Sequence, residues 1–134
     1  MNLYDRVERM CKLGPAFLDI TWGAGGSTAD LTFEIATSLQ NLIGVETQMH
    51  LTCTDMNRKT IADVLEQTRD KGIQNILALR GDPLQGSDQW QSRDMRFRHA
   101  IDLVRFIREE HGDYFGIGVA GHTEGHIEAE SYRT

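Results

Sequence analysis

The sequence predicts an α/β chain of about four parallel strands separated by helices. Three observations predict it. Short, nearly continuous apolar runs begin near residues 17, 45, 76 and 115, as expected of strands covered by helices. Between them lie longer segments with apolar residues at helical spacing. Glycines and prolines fall at the joints, where helices stop and strands cannot continue.

The first helix is predicted over 3–13, with Leu3, Val7, Met10 and Cys11 on one face, and Gly14-Pro15 stops it. Ala16 to Trp22 reads as a strand, followed by the loop Gly23-Ala24-Gly25-Gly26. Ser27 or Thr28 can cap the next helix, which runs through Leu31, Ile35, Ala36 and Leu39. A second strand spans roughly Val45 to Thr52, and a helix from Lys59 to Lys71 closes at Gly72. The third strand, Ile76 to Leu79, stops at Arg80-Gly81-Asp82-Pro83. After a polar loop containing Trp90, a long helix from about Phe97 to His111 carries Ala100, Leu103, Val104 and Ile107 on one face. The fourth strand is Phe115 to Ala120.

Strand intervals of this size match half of a (β/α)8 barrel, whose eight units typically occupy about 250 residues. An open doubly wound sheet fits the alternation equally well. The 134 residues form one domain, and 40% apolar content suffices for a core. A net charge of -6 with no basic stripe argues against nucleic acid as the main partner. No apolar run reaches the length of a membrane span. Cys11 and Cys53, with no CxxC spacing, suggest neither a disulfide scaffold nor a zinc knuckle. The amino terminus carries no apolar signal segment, so the expectation is a cytoplasmic protein.

In parallel α/β sheets, ligands sit at the carboxyl ends of the strands. Those ends deliver Thr21 and Trp22, then His50 and Thr52, then Arg80, Gly81 and Asp82, then Gly121, His122 and His126. Donors, imidazoles and one carboxylate suit a polar, partly anionic ligand. The Gly23 to Ser27 loop can present backbone amides to a phosphate, but it matches neither G-x-G-x-x-G nor a Walker A loop. His122 and His126 invite a metal-hydrolase reading, although the zincin spacing is absent and Gly125 weakens any helix there. His50 reads either as a ligand contact or as a hydrogen-bonded core histidine. Cys53 reads as a buried small apolar residue.

Read together, Asp19 to Ser27, His50-Leu51-Thr52-Cys53, Ala78 to Pro83 and Val119 to Ala129 resemble methylenetetrahydrofolate reductases of the eukaryotic type, over essentially the whole chain. The resemblance implies a partial (β/α)8 TIM barrel, with 1–134 an incomplete catalytic domain that lacks its opening strand. It implies a flavin-dependent oxidoreductase of one-carbon metabolism, taking 5,10-methylenetetrahydrofolate to 5-methyltetrahydrofolate with FAD as cofactor and NAD(P)H as electron donor. By motif, Thr21, His50, Arg80, Gly81 and Asp82 fall at flavin contacts. Asp82, the catalytic candidate, would lie near the pyrimidine side of the flavin and near the folate. His99 and Ala100 match a flavin-contacting pair that is commonly Tyr-Ala, and His126 and Ala129 match the loop after the fourth strand. In that loop His122, Thr123 and Ile127 replace the usual tyrosine and two prolines. Two lost prolines raise the cost of ordering the loop by up to about 1 kcal/mol each.

The family's catalytic glutamate lies on the missing strand, so the expectation is little or no activity from this segment alone. The alternative is a non-catalytic barrel remnant that self-associates through its exposed edges, and a homo-oligomer is expected on the same ground.

Overall fold

The structure is a computed structural model that describes residues 2–22, 29–54, 56–82, 94–126 and 129. The Gly23 to Ser27 loop, Thr28, Pro83, Trp90 and Ile127 lie outside the described residues.

Helix α1, Leu3–Cys11, is fastened at its start by a reciprocal capping box. Asn2 Oδ1 accepts from the Asp5 N–H at 2.9 Å, and Asp5 Oδ2 accepts from the Asn2 N–H at 3.1 Å. It stops two residues before the predicted end, because Leu13 and Gly14 bond back to Met10 and Cys11 in a tighter turn and Gly14 takes φ +68°. Strand β1 is only Leu18–Ile20, shorter than Ala16 to Trp22. Among the described residues it pairs with one neighbour, and that ladder holds three residue pairs. Helix α2, Ala29–Ser38, runs into a wider π turn over Leu39–Ile43. Gly44, at φ +78°, closes it by bonding to the Leu39 carbonyl.

Strand β2 is Thr47–Thr52 and helix α3 is Arg58–Asp70, begun by Asn57, whose side chain accepts from the Thr60 N–H at 2.9 Å. Strand β3 is Asn75–Leu79. Helix α4 is Ala100–His111, starting three residues after the predicted Phe97. Phe97 has the apolar character of a helix face, but it precedes the helix and is buried edge-on against Phe106. Strand β4 is Gly116–Val119.

The four strands are parallel and lie in the order β1-β2-β3-β4. A doubly wound sheet reverses strand order at a switch point. None of the described strands does so, and burial is also one-sided. Along β2, Thr47, Met49 and Leu51 are buried, whereas Gln48, His50 and Thr52 are half-buried. Along β3, Ile76 and Ala78 are buried and Asn75, Leu77 and Leu79 are not. The helices therefore cover one face, where Leu51, Ile61, Leu65, Ile76, Leu103 and Ile107 form the main core. The opposite face is the one a barrel turns inward. This arrangement is an α/β fold consistent with a partial TIM barrel.

Candidate functional site at the carboxyl ends of the strands

Parallel register sets the open face in rows. Asp19, Gln48, Asn75 and Gly116 share one row, and His50, Leu77 and Gly118 the next. The glycines matter here: a Cβ at Gly118 would sit 3.1 Å from Leu77 Cδ1, and one at Gly116 would sit 2.6 Å from Asn75 Oδ1.

His50 lies two residues before the carboxyl end of β2. The β2–β3 ladder continues to Thr52 opposite Leu79, so His50 lies inside the strand and faces the open side. Its side chain is 19% exposed, and Nε2 lies 3.6 Å from Asp19 Oδ1. That nitrogen is buried and has no hydrogen bond among the described residues. Gln48 Nε2 donates to the same Asp19 oxygen at 2.9 Å. Neither Asp19 nor Gln48 stood out in the sequence as a site residue. The available signal was alternation: Asp19 stands between Leu18 and Ile20, and Gln48 stands two positions before His50, so that each faces away from the helices.

Thr21 lies just past β1 and is exposed, with its carbonyl accepting from Thr32 Oγ1 at 3.3 Å. The Arg80-Gly81-Asp82 turn directly follows β3 and is tied to the segment after β2. The Arg80 carbonyl accepts from the Cys53 N–H at 3.3 Å and from Thr54 Oγ1 at 3.0 Å, and the Asp82 carbonyl accepts from Thr54 Oγ1 at 3.1 Å. Gly81 takes φ +90° and Asp82 is exposed. Thr54 carried no sequence signal. Cys53 is fully buried and its Sγ lies 3.4 Å from the Arg80 carbonyl oxygen. Burial pushes its thiol up to about 11, so it stays protonated at neutral pH and acts as a core residue.

A second cluster forms where α4 begins. His99 is the residue before the first turn, and Asp102 Oδ2 accepts from its N–H at 2.9 Å. The His99 ring meets that of His126 at 6.3 Å, and His126 meets His122 edge-on at 4.9 Å. Ala100 starts the helix, and the Ala129 N–H bonds to the His126 carbonyl at 2.8 Å. The sequence-predicted residues thus include two groups, the Arg80-Gly81-Asp82 turn and the histidine row at the start of α4, with Thr21 just past β1 and His50 on the open face. The metal-hydrolase reading finds no support here. No set of three side chains that could hold a metal ion occurs among the described residues. Nor is any helix among them long and apolar enough to cross a membrane.

Comparison with known proteins gives a consistent picture. Residues 1–134 match the family model described as methylenetetrahydrofolate reductase. The chain is 56% identical over 136 residues to methylenetetrahydrofolate reductase (NADH) 1 of Arabidopsis thaliana, covering 99% of this chain and 23% of the relative. It is 46% identical over 129 residues to methylenetetrahydrofolate reductase 2 of Schizosaccharomyces pombe, covering 96% of this chain and 20% of the relative. It is 39% identical over 137 residues to a probable methylenetetrahydrofolate reductase (NADPH) of Caenorhabditis elegans, covering 98% and 20%. The chain spans less than a quarter of the length of these relatives.

Proposed function

The chain belongs to the methylenetetrahydrofolate reductase family, and from that premise we propose that it serves the reduction of 5,10-methylenetetrahydrofolate to 5-methyltetrahydrofolate, with NAD(P)H as donor and FAD as cofactor. The observation that carries the flavin part is the His50 Nε2, a buried polar atom on the open face without a hydrogen bond among the described residues. Such an atom is a contact point for a ligand. Asp19, Gln48 and Asn75 line the same face in the neighbouring row, which fits a group with polar edges.

When bound, FAD supplies hydride transfer between the nicotinamide and the folate. In this reading His50, Thr21, Arg80 and Gly81 hold the cofactor from the sheet, and His99, Ala100, His122, His126 and Ala129 hold it from the start of α4 and the loop after β4. Gly81 supplies the positive φ of the turn that carries Arg80 and Asp82. Asp82 is the catalytic residue: its carboxylate disfavours negative charge on the reduced ring and stabilises a cationic folate.

Titrating FAD into the purified chain while following flavin fluorescence tests this. Saturable quenching, weakened in Asp82→Ala and His50→Ala variants that keep their far-ultraviolet circular dichroism, is the expected result. No quenching at excess FAD overturns it.

A second reading has its own observation. Among the described residues, strands β1 and β4 each have a sheet neighbour on one side only, and open edges pair. Self-association through them predicts a mass that rises with concentration in sedimentation equilibrium; a monomer at every concentration rejects it.

A further inference from the structure

One hydroxyl joins the two segments that leave β2 and β3. Thr54 Oγ1 lies 3.0 Å from the Arg80 carbonyl oxygen and 3.1 Å from that of Asp82, so its single O–H is shared between the two carbonyls on either side of Gly81. The Cys53 N–H adds a bond to the Arg80 carbonyl at 3.3 Å. A Cβ at Gly81 would sit 2.5 Å from Thr54 Oγ1 and 2.9 Å from Thr52 Cβ. The turn is therefore wrapped around this hydroxyl, and the missing side chain at 81 is what admits it.

The β2–β3 ladder ends at Thr52 opposite Leu79, so sheet pairing does not hold residues 80–82. The Asp82 side chain is exposed, and its direction follows from where its backbone is held. We propose that Thr54 is a positioning residue that fixes the Asp82 carboxylate by clamping the carbonyls of Arg80 and Asp82. The proposal rests on the flavin reading above and adds to it a residue outside the resemblance motifs as a determinant of the flavin's electronic setting. A carboxylate held in one place exerts a steady field on a neighbouring ring, whereas a swinging one is averaged and screened by solvent.

The test uses Thr54→Val, which keeps the shape and loses the hydroxyl, and Thr54→Ser, which keeps the hydroxyl. Two quantities are read: the midpoint potential of FAD bound to the chain, and the amide exchange rate of Cys53, whose N–H bonds to the clamped Arg80 carbonyl. Expected is an upward shift of potential in Thr54→Val, in the same direction as Asp82→Asn, with Thr54→Ser close to the unaltered chain. The double variant Thr54→Val/Asp82→Asn should shift no further than Asp82→Asn alone, because both changes remove one effect. Cys53 exchange should quicken up to about tenfold in Thr54→Val, the equivalent of one lost hydrogen bond.

A Thr54→Val variant that lowers the melting temperature but leaves the potential in place overturns the proposal, as does a fully additive double variant. If the unaltered chain binds no FAD, the flavin reading falls, and with it any role of Thr54 toward the cofactor. The clamp is then still decided separately, since unchanged Cys53 exchange in Thr54→Val rejects it.

Discussion

Asp19 Oδ1 sits 3.6 Å from His50 Nε2 while accepting a 2.9 Å hydrogen bond from Gln48 Nε2. At that distance the two do not share a hydrogen bond, so Nε2 keeps its capacity for a ligand with a carboxylate held beside it by Gln48. In Asp19→Ala the Gln48 amide loses its acceptor and the polar edge beside His50 is cut back. FAD affinity should fall roughly fivefold, in line with the loss of about 1 kcal/mol. Unchanged affinity in the variant means that this pair does not help to hold the cofactor.

The order of elements was legible because the strands are short apolar runs and the helices carry apolar residues at helical spacing, whereas the buried face of the sheet was not, since Ile76 to Leu79 is apolar throughout and yet only Ile76 and Ala78 are buried. The Arg80-Gly81-Asp82 turn was legible for the same reason: an apolar run ends there. The run from Val45 to Thr52 ends where the ladder with β3 ends, and His50 lies two residues before that end. Asp19 was readable in principle from the Leu18-Asp19-Ile20 alternation, but its partner His50 is 31 positions away, and only the register brings them together. Thr54 was not readable, because a threonine after a strand is ordinary until the carbonyls of residues 80 and 82 are seen on either side of it. Phe97 shows the converse error. Its apolar side chain fits a helical pattern, yet it fills the core ahead of a helix that starts only at Ala100.

Gly81 and Gly14 separate backbone strain from collision. Both have positive φ, +90° and +68°, but a Cβ at Gly14 meets nothing within 4 Å, whereas at Gly81 it runs into Thr54 and Thr52. Gly14→Ala should cost about 1 kcal/mol, the left-handed penalty alone. Gly81→Ala should cost about 3 kcal/mol or more, because the clamp must also open. Urea unfolding midpoints at equal m-value measure both, and equal losses at the two sites reject the steric account.

Burial of Cys53 has a pH signature. Removal from water raises its thiol from 9.0 to about 11, outweighing the opposing effect of its own backbone hydrogen bond. The folded state then holds its proton more tightly than the unfolded state. This contribution to stability is full below pH 9 and is lost as pH rises through 11. A displacement of two pH units corresponds to roughly 3 kcal/mol at most. The unfolding free energy of the chain should therefore fall more steeply between pH 9 and 11 than that of Cys53→Ala, and parallel curves contradict it. At pH 8 a thiol reagent should modify the half-buried Cys11 quickly and Cys53 only on unfolding.

Asp102 holds the start of α4 where that helix reaches the rim. Its Oδ2 accepts from the N–H groups of both Arg98, at 3.1 Å, and His99, at 2.9 Å. These donors have no carbonyl within the helix to bond, so the carboxylate replaces what the helix cannot supply. Asp102→Ala should cost about 1 kcal/mol, and Asp102→Asn less, because the amide oxygen still accepts. The consequence reaches beyond stability, because His99 packs its ring against His126, which in turn meets His122. Fraying at 98–100 would release that row of rings, so in Asp102→Ala the ring-proton shifts of His126 and His122 should change together with those of His99 as the rings lose one another's ring-current effects. A variant that loses stability while the three histidines keep their shifts shows that the rings are held by the loop after β4, and that the cap acts on the helix alone.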